Sequence, residues 1–217
     1  MPGHEDILRK FFERLYDFFG PRQWWPGETP FEVAVGAILT QNTNWGNVEK
    51  AINNLKRQRL LSARALNKMT EGNLSRVIKP AGYYNVKSKR LKSFVSFLVG
   101  EYRGSMRRMA KEKTDVLREK LLRINGIGPE TADSILLYAL EKPVFVIDAY
   151  TKRILSRHCI IGYDNSYDEF QELFHKSLQK DVKLYNEYHA LLVETGKVFC
   201  KPGVPLCSQC PLNVFLR

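Results

Sequence analysis

From Ile7 to Val198, apolar residues recur at spacings of three and four, and no alternation of period two persists. Such a chain builds packed helices and offers no face to a sheet. Residues 5–19 set the pattern. Ile7, Leu8, Phe11, Phe12, Leu15, Tyr16 and Phe19 share one side before Gly20 and Pro21 stop the run. Thr29 reads as an N-cap with Pro30 in the first helical position, followed by Phe31, Val35, Ile38 and Leu39. Trp45, Val48, Ile52 and Leu55 mark another helix. Short ones are predicted from Ser62 to residue 69 and over 72–78. A basic amphipathic stretch covers 85–102. Thr114 is expected to cap a helix ending near Ile124, and Pro129 to start one reaching Leu140. PVFVI at 143–147 is too short for a helix, and Asp148 after it is placed to cap the next. Ser166 and Glu169 form a capping box for 167–178, and a last helix is expected over 181–199. The predicted fold class is all-α, with about ten helices.

Charge narrows the partners. Thirty-four Lys and Arg oppose 23 Asp and Glu, leaving +11. The basic residues are spread along the chain, which favours a folded basic face toward a polyanion over a disordered arm. The 44% apolar and 26% charged fractions exclude a disordered chain. No stretch approaches the roughly 18 apolar residues of a membrane helix. The opening MPGHEDILRKFFERL mixes charges into its apolar run, which predicts no signal peptide and a cytoplasmic protein. In that setting Cys200, Cys207 and Cys210, crowded beside Pro202, Gly203 and Pro205, point to a metal or cluster loop and not to disulfides.

LLRINGIGPETADSILLYAL at 121–140 is the most informative passage. Gly126, Ile127 and Gly128 form a reversal between two helices. The glycines permit positive φ and leave backbone N–H groups uncovered. Those groups, with the helix start at Pro129, can hold a phosphate oxygen; an ordinary helix reversal is the other reading. Asp148 can act as a helix cap, as a carboxylate that activates water or stabilises a cationic sugar, or as both.

The hairpin and the downstream aspartate, with LTQNT at 39–43 and CKPGVPLCSQC at 200–210, together resemble the helix-hairpin-helix DNA glycosylases of the endonuclease III superfamily. The resemblance covers nearly the whole chain. It implies two helical lobes with a cleft between them, the hairpin at its mouth: 28–141, with the motif over about 114–140, and 1–27 plus 142–217. It implies a monomer acting on double-stranded DNA that contains a damaged base. Gly126, Ile127 and Gly128 would grip the backbone, through a monovalent cation in many members. Asp148 falls on the family's catalytic aspartate, and Gln41 on the residue that fills the gap left by the extruded base.

Two departures matter. Bifunctional members carry a lysine in a G-x-G-x-K pattern, which forms a Schiff base with the sugar. Here the sequence is GIGPE, and Glu130 cannot form an imine, so a monofunctional glycosylase without efficient lyase activity is expected. QWWP at 23–26, LTQNTNW and GYYNVKSKR further resemble the 3-methyladenine DNA glycosylases of this superfamily, which also carry Glu there. That resemblance implies an aromatic pocket of Trp24, Trp25, Pro26 and Trp45 for a cationic alkylated base. Glu130 either faces that base or is an exposed first-turn acid.

The second departure is in the cluster motif, C-x6-C-x2-C-x5-C, whose last position is Leu216. Three cysteines can hold a 4Fe–4S cluster with a different fourth ligand, a three-iron cluster or zinc, or be a relic. A cluster would be structural, presenting Lys201 to phosphate. The rivals are a glycosylase for uracil, mismatched or oxidised bases, a lyase using Lys142 or Lys152, and a non-catalytic damage-binding module.

Overall fold

The computed structural model describes residues 4–22, 24 and 27–216, and among these every regular element is helical. Twelve α-helices follow in chain order: α1 (His4–Phe19), α2 (Pro30–Leu39), α3 (Trp45–Arg57), α4 (Ala63–Lys68), α5 (Glu71–Val77), α6 (Tyr84–Tyr102), α7 (Met106–Met109), α8 (Thr114–Leu122), α9 (Pro129–Ser134), α10 (Ala149–Arg157), α11 (Tyr167–Ser177) and α12 (Val182–Val198). The chain divides into two compact units, Trp25–Lys142 and Met1–Trp24 with Pro143–Arg217.

In the continuous unit, α2 is the axle. Val33 through Leu39 are all buried, so this helix is apolar on every side. Thr29 Oγ1 accepts the Glu32 N–H at 3.1 Å, and Pro30 stands first, as the sequence indicates. The long α6 packs Leu91, Phe94, Val95 and Leu98 inward. It begins and ends at left-handed residues, Tyr83 (φ 45°) and Arg103 (φ 54°). Two lysines of α6 anchor other segments. Lys92 Nζ donates to the Leu66, Asn67 and Met69 carbonyls at 2.7–3.1 Å, closing the C-terminal end of α4. Lys87, fully buried, donates to the Ala81 carbonyl at 2.7 Å; burial, with Arg90 adding to it, pulls its pKa down to about 8.

In the discontinuous unit, Leu8, Phe11 and Leu15 of α1 are fully buried, and Tyr188 of α12 donates its hydroxyl to the Leu8 carbonyl at 2.8 Å. Residues 143–148 form no regular element, and Val144, Phe145, Val146 and Ile147 are buried. Side chains satisfy their backbone instead. The Phe145 N–H donates to His175 Nε2 at 3.0 Å, the Phe145 carbonyl accepts from Gln171 at 2.7 Å, and the Ile147 N–H meets the Tyr167 hydroxyl at 3.2 Å. Phe145 stacks on Phe174 at 3.7 Å between ring centroids. Gly196 of α12 lies against Tyr150 of α10 so closely that a Cβ there would collide with the ring.

Three local expectations are corrected. Thr114 is the first helical residue and not a cap; Lys113 precedes it with no side-chain cap. The helix from Pro129 does not run uniformly to Leu140, because residues 135–139 widen into a π-helical turn, a form common at functional sites. The single turn α7 was not foreseen, since four residues are too few to display a period.

Candidate active site

The hairpin is held from three sides. Arg118 of α8 makes a two-pronged ion pair with Asp133 of α9, Nε to Oδ1 at 2.8 Å and Nη2 to Oδ2 at 3.1 Å, with Asp133 wholly buried. Ile127 is buried at the tip, and its N–H donates to the Ile124 carbonyl at 3.0 Å. Gly126 takes φ +83°, and its missing side chain makes room for Arg90, whose Cγ and Cδ would collide with a Cβ there. Gly128 differs from expectation: its φ of −90° is open to any residue, and nothing lies near a Cβ placed on it. Glu130 is exposed in the first turn of α9, on the favourable side of the helix dipole.

Gln41 is bound into this hairpin. Its Nε2 donates to the Gly126 carbonyl at 3.1 Å and to Thr131 Oγ1 at 2.8 Å, and its Oε1 accepts from Arg90. A single amide thus reads both ends of the reversal. Arg90 was not singled out in the sequence, where it is one basic residue among several in α6; only the fold lays it over Gly126.

Trp45, half-buried at the start of α3, lines an open pocket with Gly27, Glu28, Glu32, Glu49 and Lys56. Lys56 bridges Glu28 at 3.0 Å and Glu32 at 2.8 Å, and those hydrogen bonds raise its pKa. Three carboxylates against one ammonium leave this pocket acidic beside an indole, within a basic protein. Trp24, in the other unit, lies under the Lys197 ammonium at 5.2 Å from the ring centroid. Trp25 and Pro26 lie outside the described residues.

Asp148 is the N-cap of α10. Its Oδ1 accepts the Thr151 N–H at 2.7 Å, and its Oδ2 lies 3.6 Å from His189 Nε2, with only 11% of the side chain exposed. His189 is buried, and desolvation holds its pKa below the ordinary value against the opposing pull of Asp148. The carboxylate thus lies next to an imidazole that burial keeps neutral at neutral pH. Nothing in the sequence marked His189, which is separated from Asp148 by 41 positions.

Cys200, Cys207 and Cys210 line one small cavity together with Leu216 and Arg157. Arg157 Nη1 approaches Cys200 Sγ at 3.4 Å and donates to the Lys201 carbonyl at 2.7 Å. Burial, reinforced by the charges of Cys200 and Cys207, raises the Cys210 pKa. Among the described residues no three His, Cys, Asp or Glu side chains converge on the position of a single ion. The Lys201 side chain is exposed. No described helix is long and apolar enough to cross a membrane.

Residues 35–180 match the HhH-GPD superfamily of base excision DNA repair proteins. A protein of Methanocaldococcus jannaschii, provisionally named a DNA repair glycosylase, is 51% identical over 97% of this chain and 96% of its own length. The H. pylori 3-methyladenine DNA glycosylase, solved with 1,N6-ethenoadenine, superposes with a TM-score of 0.76 at 30% identity, covering 89% of this chain and 97% of that one. An endonuclease III solved with DNA superposes with a TM-score of 0.84 at 21% identity, over 100% of this chain and 96% of that one, a likeness of fold.

Proposed function

This chain belongs to the HhH-GPD superfamily of base excision DNA repair proteins, and from that premise we propose that it is a monofunctional DNA glycosylase for alkylated purines such as 3-methyladenine. The observation that carries the reading is that the reactive positions of the fold offer carboxylates, Asp148 and Glu130, and no amine. The lysines that could stand in for a Schiff-base nucleophile are otherwise engaged. Lys142 donates to the Glu112 carbonyl at 2.6 Å, and Lys152 to the Asn165 carbonyl at 3.2 Å.

Asp148 spends one oxygen on its helix and keeps the other for chemistry. As the glycosidic bond breaks, positive charge develops on the sugar, and a fixed, poorly hydrated carboxylate stabilises it without reorganising. The same oxygen orients the attacking water. Gln41, positioned by Gly126, Thr131 and Arg90, enters the duplex where the base leaves it. The acidic pocket around Trp45 suits a cationic leaving base, since indole faces attract cations and stacking contributes roughly 1–3 kcal/mol per base. A neutral uracil or thymine gains nothing from Glu28, Glu32 and Glu49. The similarity to a 3-methyladenine glycosylase supports the same class of substrate.

Cys200, Cys207 and Cys210 are the residues that would hold an iron–sulfur cluster. The thiols share one cavity, and the Arg157 guanidinium beside Cys200 suits an anionic sulfur. The cluster would serve as a clamp on the loop that carries Lys201 and take no part in bond cleavage.

The test is base release from duplex DNA treated with a methylating agent, read by chromatography, with nicks scored before and after alkali. Released 3-methyladenine or 7-methylguanine, with nicks only after alkali, is the expected result. Release confined to uracil, mismatched or oxidised bases would overturn the substrate class. A borohydride-trapped protein–DNA adduct would overturn the monofunctional mechanism.

A further inference from the structure

We propose that His158 is the fourth protein ligand of an iron–sulfur cluster whose other three are Cys200, Cys207 and Cys210. The proposal rests on the cluster reading above and adds the residue that the cysteine pattern lacks. The fourth position of that pattern is Leu216, which lines the cavity beside the thiols and has no donor atom.

His158 lines the same cavity from the opposite side of the sequence. It is the C-cap of α10, its N–H closing the helix on the Ile154 carbonyl at 3.2 Å. Packing holds the ring. Its edge meets Phe11 at 4.9 Å between centroids and 73° between planes. Its Nδ1 is buried with no hydrogen-bond partner. A bare buried nitrogen is costly and calls for an explanation. A buried ring nitrogen left bare, on a histidine that lines the cavity of the three thiols, is available to a metal group held there.

The group proposed is a cluster and not a single ion. Zinc needs all its ligands within about 2.0–2.3 Å of one point, and no three described side chains meet that condition. Ligands of a four-iron cluster each hold a different iron and ring a cavity. On binding, the three thiols release their protons and His158 supplies a neutral lone pair. Exchanging a thiolate for imidazole removes one negative charge from the cluster and raises its potential relative to a cluster held by four thiolates.

The test uses the full chain produced with iron and purified without oxygen, plus His158→Ala and His158→Cys. Iron and acid-labile sulfide are counted, circular dichroism reports folding, and pulsed electron paramagnetic resonance on cryoreduced, nitrogen-15-histidine-labelled protein reads nitrogen bound to iron. The expected wild-type result is on the order of four irons per chain with one strongly coupled histidine nitrogen. His158→Cys keeps the iron, loses the coupling and shifts the potential negative; His158→Ala loses iron or falls to a three-iron signal. A wild-type cluster without nitrogen coupling, or coupling that survives in His158→Ala, overturns the ligand assignment and leaves the cluster standing. Wild type that takes up no iron even after reconstitution with iron and sulfide overturns both, and leaves the glycosylase reading untouched.

Discussion

Replacing Asp148 by Asn separates the two duties of that side chain. Asn caps helices about as well as Asp, so the hydrogen bond from the Thr151 N–H is retained. What is lost for stability is the charge at a helix start, about 0.3–1 kcal/mol. Catalysis loses more. With 11% of the carboxylate exposed, an effective dielectric of about 20 applies. A sugar cation at ~4–5 Å then gains roughly 3–4 kcal/mol from the charge, or about 150- to 1,000-fold in rate. Single-turnover base release from methylated DNA should fall by that factor, while the urea midpoint barely moves. Asp148→Ala should lose similar activity and about 1 kcal/mol more stability, from the missing cap. An Asn variant that releases base within a few-fold of wild type would refute the electrostatic role and leave Asp148 as a cap alone.

Three further outcomes follow from the geometry. Gly126→Ala forces a side chain into the left-handed region and against Arg90; it should cost about 1–2 kcal/mol in thermal unfolding and weaken DNA binding measured by fluorescence anisotropy. Arg118→Met removes the two-pronged ion pair from the buried Asp133 carboxylate and should cost about 3–5 kcal/mol, whereas Arg118→Met with Asp133→Leu should recover most of it; double-variant denaturation curves check both. His189 has a folded pKa depressed by burial, so its contribution is present above the unfolded value of about 6.5. It is lost as pH falls from there toward the folded value, because the unfolded chain takes the proton first. Stability to urea should therefore drop between neutral and mildly acidic pH, less steeply in His189→Leu.

The local half of this protein is legible in its residues. Thr29, Ser62, Asp148 and Ser166 each cap the helix they precede, because capping involves only neighbours three residues apart. The apolar spacing likewise marks α1, α3, α11 and α12, since a helix repeats on a scale a sequence window can show. The GIGPE hairpin, Asp148 and the cysteine loop stand out by residue type. What surrounds them does not. The hold of Gln41 on Gly126, Thr131 and Arg90 spans up to 90 positions, the neutral His189 beside Asp148 comes from another helix, and the burial of residues 143–147 depends on side chains of α11. Gly128 carried the same letter as Gly126, yet only Gly126 needs to be glycine for its backbone. Chain order specifies which groups are present and which helices they start. Distance and desolvation, which decide whether an imidazole stays neutral or a lone pair is left bare, exist only after the helices have packed.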